Sequence, residues 1–375
     1  MDICIVNPGF NLGGVERVAI ELANSLKKDN NKVTLIDFFG ENYFYYDIEP
    51  EINTPKIIRR RNILRKIVKK SLYFKYKFDN KSLNTKRLYK EQIEDLIQYL
   101  KKNQHDVLIL CQGMLTALIP VIKEELPNIK IVAWQHNDFD VYTKQYFKEI
   151  LNDYVNGLKL ADLVVCLTAA DIDKFKQLNS NTCNIYNPLT ISDTKVSKLE
   201  NKNIVFVGRL RIKQKGLDYL IEIAKKLEDD WVITVAGDGE DRKQFLNKIR
   251  TNNLQDKIKL KGPLKSKELL ELYYSGSIFI STSRWEGFGL VITEAMACGL
   301  PIISFNNLGP NEILKNGEYG ILIDNYNIDI FISNLKELIK NKSERELLQK
   351  KSLERAEAFN IKVILEEWNS KLKAL

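Results

Sequence analysis

The sequence predicts an α/β protein made of two doubly wound parallel sheets. Three observations predict it. Short apolar runs rich in β-branched residues alternate with longer helical stretches, as βαβ units do. The alternation starts twice, at "DICIVN" (2–7) and again at "NIVFVGRL" (203–210). The 375 residues are enough for two domains with a core each. Two such Rossmann-like domains face to face would form a cleft, with strand C-termini on both lips.

The elements follow in order. Strand "DICIVN" leads into loop "PGFNLGG", helix "VERVAIELANSLKK" and strand "KVTLIDFF", a complete βαβ unit. "DVLILC" (106–111), "IKIVAWQ" (129–135) and "ADLVVCLT" (161–168) read as further strands with helices between them. "CNIYNPLTISD" (183–193) ends the first half, placed at 1–190, and the polar residues 190–202 read as a linker. The second half, 200–357, continues with "GLDYLIEIAKKL", "WVITVAG", "DRKQFLNKIR", "KIKLKG", "SKELLELYYSG", "SIFIS" and "PIISF". "YGILID" is its last strand, and helices ending in "IKVILEEWNSKLKAL" close the chain.

Composition narrows the class. No run of about 18 apolar residues is present, so no transmembrane helix is expected. "MDICIVNPGF" enters a strand directly and does not read as a signal peptide. Five scattered cysteines (4, 111, 166, 183, 298) without a CxxC read as reduced core residues of a cytoplasmic protein. Two histidines leave few candidates for zinc or a histidine-based triad. Residues 56–90 hold fourteen Lys/Arg and one acid, a local +13 that leaves the rest of this +8 chain at −5.

The most informative stretch is "SRWEGFGLVITEAMACGLPII" (283–303). It reads as the end of a strand, a glycine turn, a helix stopped by Gly299 with Pro301 beyond, and the next strand. The backbone N–H groups of Gly287, Phe288, Gly289 and Leu290 are then orphan donors at a helix mouth, where a phosphate is expected. Glu286 and Glu294 would repel a phosphate they touched. One step away, they can accept from hydroxyls on either side of it, since an ionised carboxylate only accepts and a vicinal diol donates twice. A diol–diphosphate–diol ligand is a nucleotide sugar. The plainer alternative makes Glu286 a helix-dipole carboxylate and Glu294 a solvated helix position.

These motifs together resemble the retaining glycosyltransferases of family 4, with the GT-B fold, nearly end to end and most strongly over 203–324. The resemblance is carried by "GGVERVAIELA", "WQHND", "VGRLRIKQKGLDYLI" and "SRWEGFGLVITEAMACGLPII", whose E-x7-E spacing is the most specific part. It implies that Arg209 and Lys215 hold the donor diphosphate, and that Gly13 and Gly14 bring the first domain's loop against it. Glu294 would bind the ribose, Glu286 the transferred sugar, and His136 the donor sugar near the reacting centre. Gly262 and Pro263 would line the base pocket. The C-terminal helix, 358–375, would cross back to the first domain. The resemblance also implies front-face transfer without a protein base, no metal or other cofactor, and a UDP-sugar as donor. The acceptor would be a growing, lipid-linked glycan of an envelope polymer such as capsule or exopolysaccharide.

Other readings are weighed on residues. A dinucleotide-dependent oxidoreductase could use Asp37 on ribose, but the glycines run G-x3-G-G rather than G-x-G-x-x-G. "DFD" (138–140) and "DID" (171–173) match the short D-x-D pattern of metal-dependent transferases, and no metal is assigned to them. A sugar-nucleotide 2-epimerase shares the fold, whereas a phosphorylase needs a longer chain. From another class, a basic-patch binding protein without activity would use "IIRRRNILRKIVKKSLYFKYKF" (57–78). No recognised nucleic-acid module surrounds that segment, so no nucleic-acid partner is expected. Ile63, Leu64, Ile67, Val68 and Leu72 stand near helical spacing among Lys/Arg, the pattern of an interfacial helix on an anionic membrane surface. The expected location is cytoplasmic, peripheral on the inner face of the cell membrane.

Overall fold

The computed structural model describes residues 1–60, 70–72, 74, 76, 82–227 and 230–375. Most of the basic segment, including Ile63, Leu64, Ile67 and Val68, lies outside the described residues. The chain divides into two compact units, Met1–Pro188 with Ile361–Leu375, and Leu189–Asn360.

The first unit holds six strands: β1 (Asp2–Asn7), β2 (Lys32–Asp37), β3 (Val107–Cys111), β4 (Lys130–Trp134), β5 (Leu163–Cys166) and β6 (Thr182–Asn184). All neighbours are parallel, in the order β2-β1-β3-β4-β5-β6. Ile3 to Val6 and Val107 to Cys111 are almost fully buried. Continuous apolar runs of this kind belong to strands covered on both faces, which is why they pair in parallel rather than alternate. The short β6 was not foreseen, because "TCN" has neither the length nor the apolar content of a strand.

The second unit holds β7 (Asn203–Val207), β8 (Val232–Ala236), β9 (Ile258–Gly262), β10 (Ile278–Ser281), β11 (Ile302–Phe305) and β12 (Ile321–Ile323). They too are parallel, in the order β12-β11-β10-β7-β8-β9. The chain winds outward from β7 in one direction and from β10 in the other. The switch between them is where a doubly wound sheet opens a crevice for ligand.

Residues 190–202 are not a free tether. Ser197 N–H donates to Cys298 O at 2.9 Å, and Gln349 Nε2 donates to Ser197 O at 2.8 Å. Three polar side chains of this segment bond within the second unit, Thr190 Oγ1 to Glu294 Oε1, Ser197 Oγ to Gly276 O and Asn201 Nδ2 to Ser275 O, while 192–196, 198 and 200–202 are exposed. Residues 358–360 also stay in that unit, since Phe359 is fully buried with the Arg355 guanidinium 4.7 Å from its ring centre. The helix Ile361–Lys373 belongs to the first unit, where it buries Ile364, Trp368 and Leu372 and Asn369 donates to Asp29 at 2.8 Å.

All five cysteines are free and four are buried. Burial pushes the Cys166 and Cys298 thiols up to about 12, so they remain thiols in the core. Among the described residues, no helix is long and apolar enough to cross a membrane.

Candidate functional site

In the second unit the switch point is built by the loops after β7 and β10. Past β7, Gly208 N–H donates to Ala236 O at 3.0 Å and Leu210 N–H to Asp238 O at 2.9 Å. A Cβ on Gly237 would stand 1.9 Å from Gly208 O, so only glycine permits this approach. The glycines of "AGDG" are therefore used for backbone packing. Arg209, at the crest of the loop, is exposed, and its guanidinium makes no ion pair among the described residues.

The short helix Ile212–Lys215 ends on Gly216, at φ +62°. A Cβ there would meet Thr282 O at 2.0 Å, and Thr282 Oγ1 donates to Lys215 O at 2.8 Å. These contacts dock the β7 loop onto the β10 loop and carry Lys215 to Glu286. The Lys215 ammonium donates to Glu286 Oε1, and Ser283 Oγ donates to the same oxygen at 2.7 Å. Among the described residues Glu286 Oε2 has no hydrogen-bond partner. The two side chains are only 13% and 11% exposed. Beside them Arg284 makes two bonds to Asp218, at 2.9 and 2.5 Å, with its guanidinium 4.3 Å from the Tyr219 ring centre. Burial works to raise the Asp218 carboxyl, but the hydrogen bonds and charge of Arg284 outweigh it and hold the group below its ordinary value.

The "GFG" turn is a helix mouth. The helix Leu290–Ala297 starts after Gly289, which is left-handed at φ +116°. Gly287, Phe288, Gly289 and Leu290 thus stand at its N-terminus. The Phe288 ring is buried, edge-on to Phe359 at 5.7 Å, so only its backbone is placed to face a ligand. Glu294 is not the solvated helix position of the plainer reading, being 1% exposed. Its Oε1 accepts from Thr190 Oγ1 at 2.6 Å and its Oε2 from Tyr273 at 2.8 Å. The reason is depth: Glu294 lies one turn inside a helix that buries Ile292 to Ala297. Gly262 ends β9 at φ +78° with open space beside it, and Pro263 is exposed.

In the first unit the corresponding edge carries Gly13, Gly14 and His136. Gly13 caps the helix Gly14–Lys28 in extended conformation, and the Glu16 carboxylate lies so close that a Cβ on Gly13 would strike it at 2.1 Å. A segment not singled out in the sequence latches this loop. Phe10 stacks on Phe44 at 4.8 Å, Tyr45 N–H donates to Phe10 O at 2.9 Å, and Tyr46 Oη donates to Gly13 O at 3.2 Å. The aromatic run "YFYY" after the second strand was the available signal. Asp37 is committed to the same turn: it accepts N–H bonds from Phe39, Gly40 and Asn42 at 2.9, 3.1 and 2.8 Å. That leaves it poorly placed to be a dinucleotide acid.

His136 follows β4, is 7% exposed, and neither ring nitrogen has a hydrogen-bond partner among the described residues. Its ring lies 4.4 Å from that of Trp134. Burial alone pushes its pKa down to about 3, so the imidazole is neutral at physiological pH. The D-x-D aspartates have structural partners. Asp138 accepts from Val141 N–H at 2.8 Å, and Asp140 pairs with Lys144 and Lys174 at 2.9 and 2.8 Å. Asp171 lies in the first turn of the helix Ala169–Lys176. Among the described residues no three His, Cys, Asp or Glu side chains cluster as metal ligands would.

Known proteins place this geometry in a family. Residues 190–355 match the family described as glycosyl transferases group 1. The chain is 32% identical over 374 residues to an uncharacterised glycosyltransferase of Haemophilus influenzae, with 97% of each chain covered. It is 27% identical over 376 residues to the amylovoran biosynthesis glycosyltransferase AmsD of Erwinia amylovora, with 96% of this chain and 95% of the other covered. Among solved structures, Anabaena HepE in complex with UDP superposes with a TM-score of 0.78 over the whole of both chains, at 18% identity, a likeness of fold. The fold is GT-B, and the chain belongs to the group 1 glycosyltransferases.

Proposed function

We propose that this enzyme is a family 4 retaining glycosyltransferase, independent of metal. In this reading it moves a hexose or N-acetylhexosamine from a UDP-sugar to a growing, lipid-linked envelope glycan of capsule or exopolysaccharide type. It works at the cytoplasmic face of the membrane. The observation that carries the reading is the Lys215–Glu286 pair at the switch point, beside Arg209, which has no ion pair among the described residues, and the mouth of the Leu290–Ala297 helix. Cations and orphan N–H groups suit a diphosphate, and a carboxylate with one free oxygen suits a sugar hydroxyl. HepE has been solved with UDP and with UDP-glucose, and AmsD is named for polysaccharide synthesis; both lend support.

The chemistry asks little of the protein beyond charge and position. The bond from the anomeric carbon to the diphosphate oxygen breaks, and its electron pair leaves with UDP. Arg209, Lys215 and the N–H groups of Gly287 to Leu290 stabilise that charge. Glu286 accepts a sugar hydroxyl and faces the positive charge that develops on the ring. Glu294 already binds two hydroxyls, and a ribose diol would replace the donors Thr190 and Tyr273 with donors of the same kind. Gly262 and Pro263 border the base, and Gly13 and Gly14 the phosphates and sugar. Neutral His136 can donate one hydrogen bond and accept another at the sugar. The acceptor oxygen attacks from the face the diphosphate leaves, and its proton passes to a phosphate oxygen.

A panel of nucleotide sugars scored by thermal unfolding tests the reading, because a ligand that binds only the native state raises the apparent stability. UDP-sugars should raise Tm more than GDP- or ADP-sugars, and the transferred sugar should keep its anomeric configuration. An unchanged Tm across the panel would sink the proposal. Conversion of UDP-N-acetylglucosamine to its 2-epimer without an acceptor would replace it with the epimerase reading.

A further inference from the structure

Trp134, Trp368 and His136 of the first unit pack together and carry four buried ring nitrogens with no hydrogen-bond partner among the described residues: Trp134 Nε1, Trp368 Nε1, and both nitrogens of His136. Buried polar atoms in folded proteins are nearly always paired, so four in one cluster need a reason. The rings form a chain of contacts. Trp368, on the helix Ile361–Lys373, meets Trp134 edge-on at 4.9 Å and 73°. Trp134, the last residue of β4, then meets His136 at 4.4 Å. Both indoles are fully buried.

We infer that Trp368 is a positioning residue for His136: it clamps Trp134, which fixes the imidazole plane, and the indole pair keeps water from a ring whose two nitrogens are left for a ligand. The inference rests on the glycosyltransferase reading, in which that ligand is the donor sugar. Sugar hydroxyls both donate and accept, and neutral imidazole does the same, one nitrogen each way. A protonated imidazole would only donate and would carry a positive charge toward a sugar centre that itself becomes positive during transfer. Dry indole walls oppose that protonation, since burial disfavours the charged form. The depressed pKa of about 3 agrees with this, and burial is its sole cause. The ionisable neighbours are few. Tyr142 Oη accepts the His136 backbone N–H at 3.2 Å, and Asp138 is engaged as a helix cap. No charged residue of the C-terminal helix (Lys362, Glu366, Glu367, Lys371 or Lys373) shifts the ring.

The test uses Trp368→Ala, Trp368→Leu and Trp368→Phe in the full chain. Leucine keeps apolar volume if alanine does not fold, and phenylalanine keeps an edge-on ring. The protein has only two histidines, so His136→Gln assigns its imidazole NMR signal directly. In the wild type that signal should not move between pH 8 and pH 5. In the alanine or leucine variant it should titrate with a midpoint near the ordinary 6.5, and turnover should fall about tenfold from pH 8 to pH 5.5 beyond any wild-type change. Phenylalanine should behave as wild type. Stabilisation by UDP should be unchanged in all three, because Arg209, Lys215 and the N–H groups of Gly287 to Leu290 lie in the other unit. A folded leucine variant whose His136 stays untitrated, or whose activity drops by one factor at every pH, overturns the inference. The NMR arm needs no turnover, so failure of sugar transfer by the wild type would be seen separately.

Discussion

Lys215 and Glu286 pair with each other, and that sets the consequences of removing either. A diphosphate offers Lys215 more negative charge than one carboxylate, so donor binding should draw the ammonium away and release Glu286 for the sugar. Charged hydrogen bonds are worth about 1.5–3 kcal/mol, so Lys215→Met should lower kcat/KM about 10- to 100-fold. Glu286→Gln keeps an acceptor for Ser283 but frees the lysine. Its kcat should fall at least about tenfold, by the same conversion of free energy to rate, while UDP affinity holds or improves. Weaker UDP binding in Glu286→Gln, or activity lost to EDTA and restored by Mn²⁺, would contradict the two-cation account. Asp171 gives a separate test through pH. Burial first, then the nearby Asp138 charge, raises its pKa from 3.8 to about 6. A folded pKa above the unfolded one means stability that is full below about 3.8 and lost as pH rises through 6. Asp171→Asn should therefore raise Tm at pH 7.5 and not at pH 4; equal effects at both would show that charge is not the cause. His136 acts in the opposite sense: its contribution is full above 6.5 and is lost as pH falls toward 3.

At the scale of elements, Gly216 is the joint of the candidate site. It ends the Ile212–Lys215 helix in left-handed conformation, and its Cα hydrogen points at Thr282 O, where no side chain fits. Gly216→Ala would add strain of about 1–3 kcal/mol and push apart the two loops that bring Lys215 to Glu286. Tm should fall, and donor binding should fall further than Tm alone explains. A variant with wild-type donor affinity would show that the loops position these residues by other means. The sequence disclosed the glycine here but not its partner, and this marks the limit of reading it. Strands such as "VLILC" and "NIVFV" were legible because burial on both faces leaves unbroken apolar runs. The helix mouth at Gly289 was legible because turn, cap and stop signals are local. The Lys215–Glu286 pair, the Thr190 hydroxyl on Glu294 and the indole pair beneath His136 join residues 71, 104 and 234 positions apart. No periodicity records contacts at such separations. Within residues 190–202, Thr190, Ser197 and Asn201 look in sequence like their exposed polar neighbours, although their side chains bond Glu294, Gly276 O and Ser275 O far along the chain.

At the scale of the whole molecule the uneven charge remains to be explained. The segment 56–90 carries +13 in a chain of +8, and two of its arginines are tied into the first unit. Arg59 is committed: it bonds Asp95 at 2.8 Å through Nε and lies 3.5 Å from Glu94. Arg60 is committed too, donating to Gly40 O at 3.0 Å and Glu41 O at 2.7 Å, beside the aromatic segment that latches the glycine loop. Reversing these two would disturb the first unit itself, so they cannot report on a membrane. Arg61, Arg65, Lys66 and Lys69 lie outside the described residues, and a variant of these four that keeps the wild-type Tm supplies the test. Each basic residue near an anionic surface contributes about 1 kcal/mol, so changing all four to Glu should cost about 4 kcal/mol, near a thousandfold in partitioning. The wild type should float with anionic liposomes at low salt and dissociate as salt shortens the Debye length below about 10 Å. The fourfold variant should stay in the soluble fraction. Its Tm should match the wild type, and so should its transfer to a short soluble acceptor, because Arg209, Lys215 and Glu286 are in the other unit. Arg59→Glu, in contrast, should lower Tm by exposing Asp95 and Glu94 to a third negative charge. If the fourfold variant still floats, or the wild type ignores anionic lipid, the basic segment is a solvated face, and a lipid-linked acceptor loses its physical support while the nucleotide-sugar site stands unaffected.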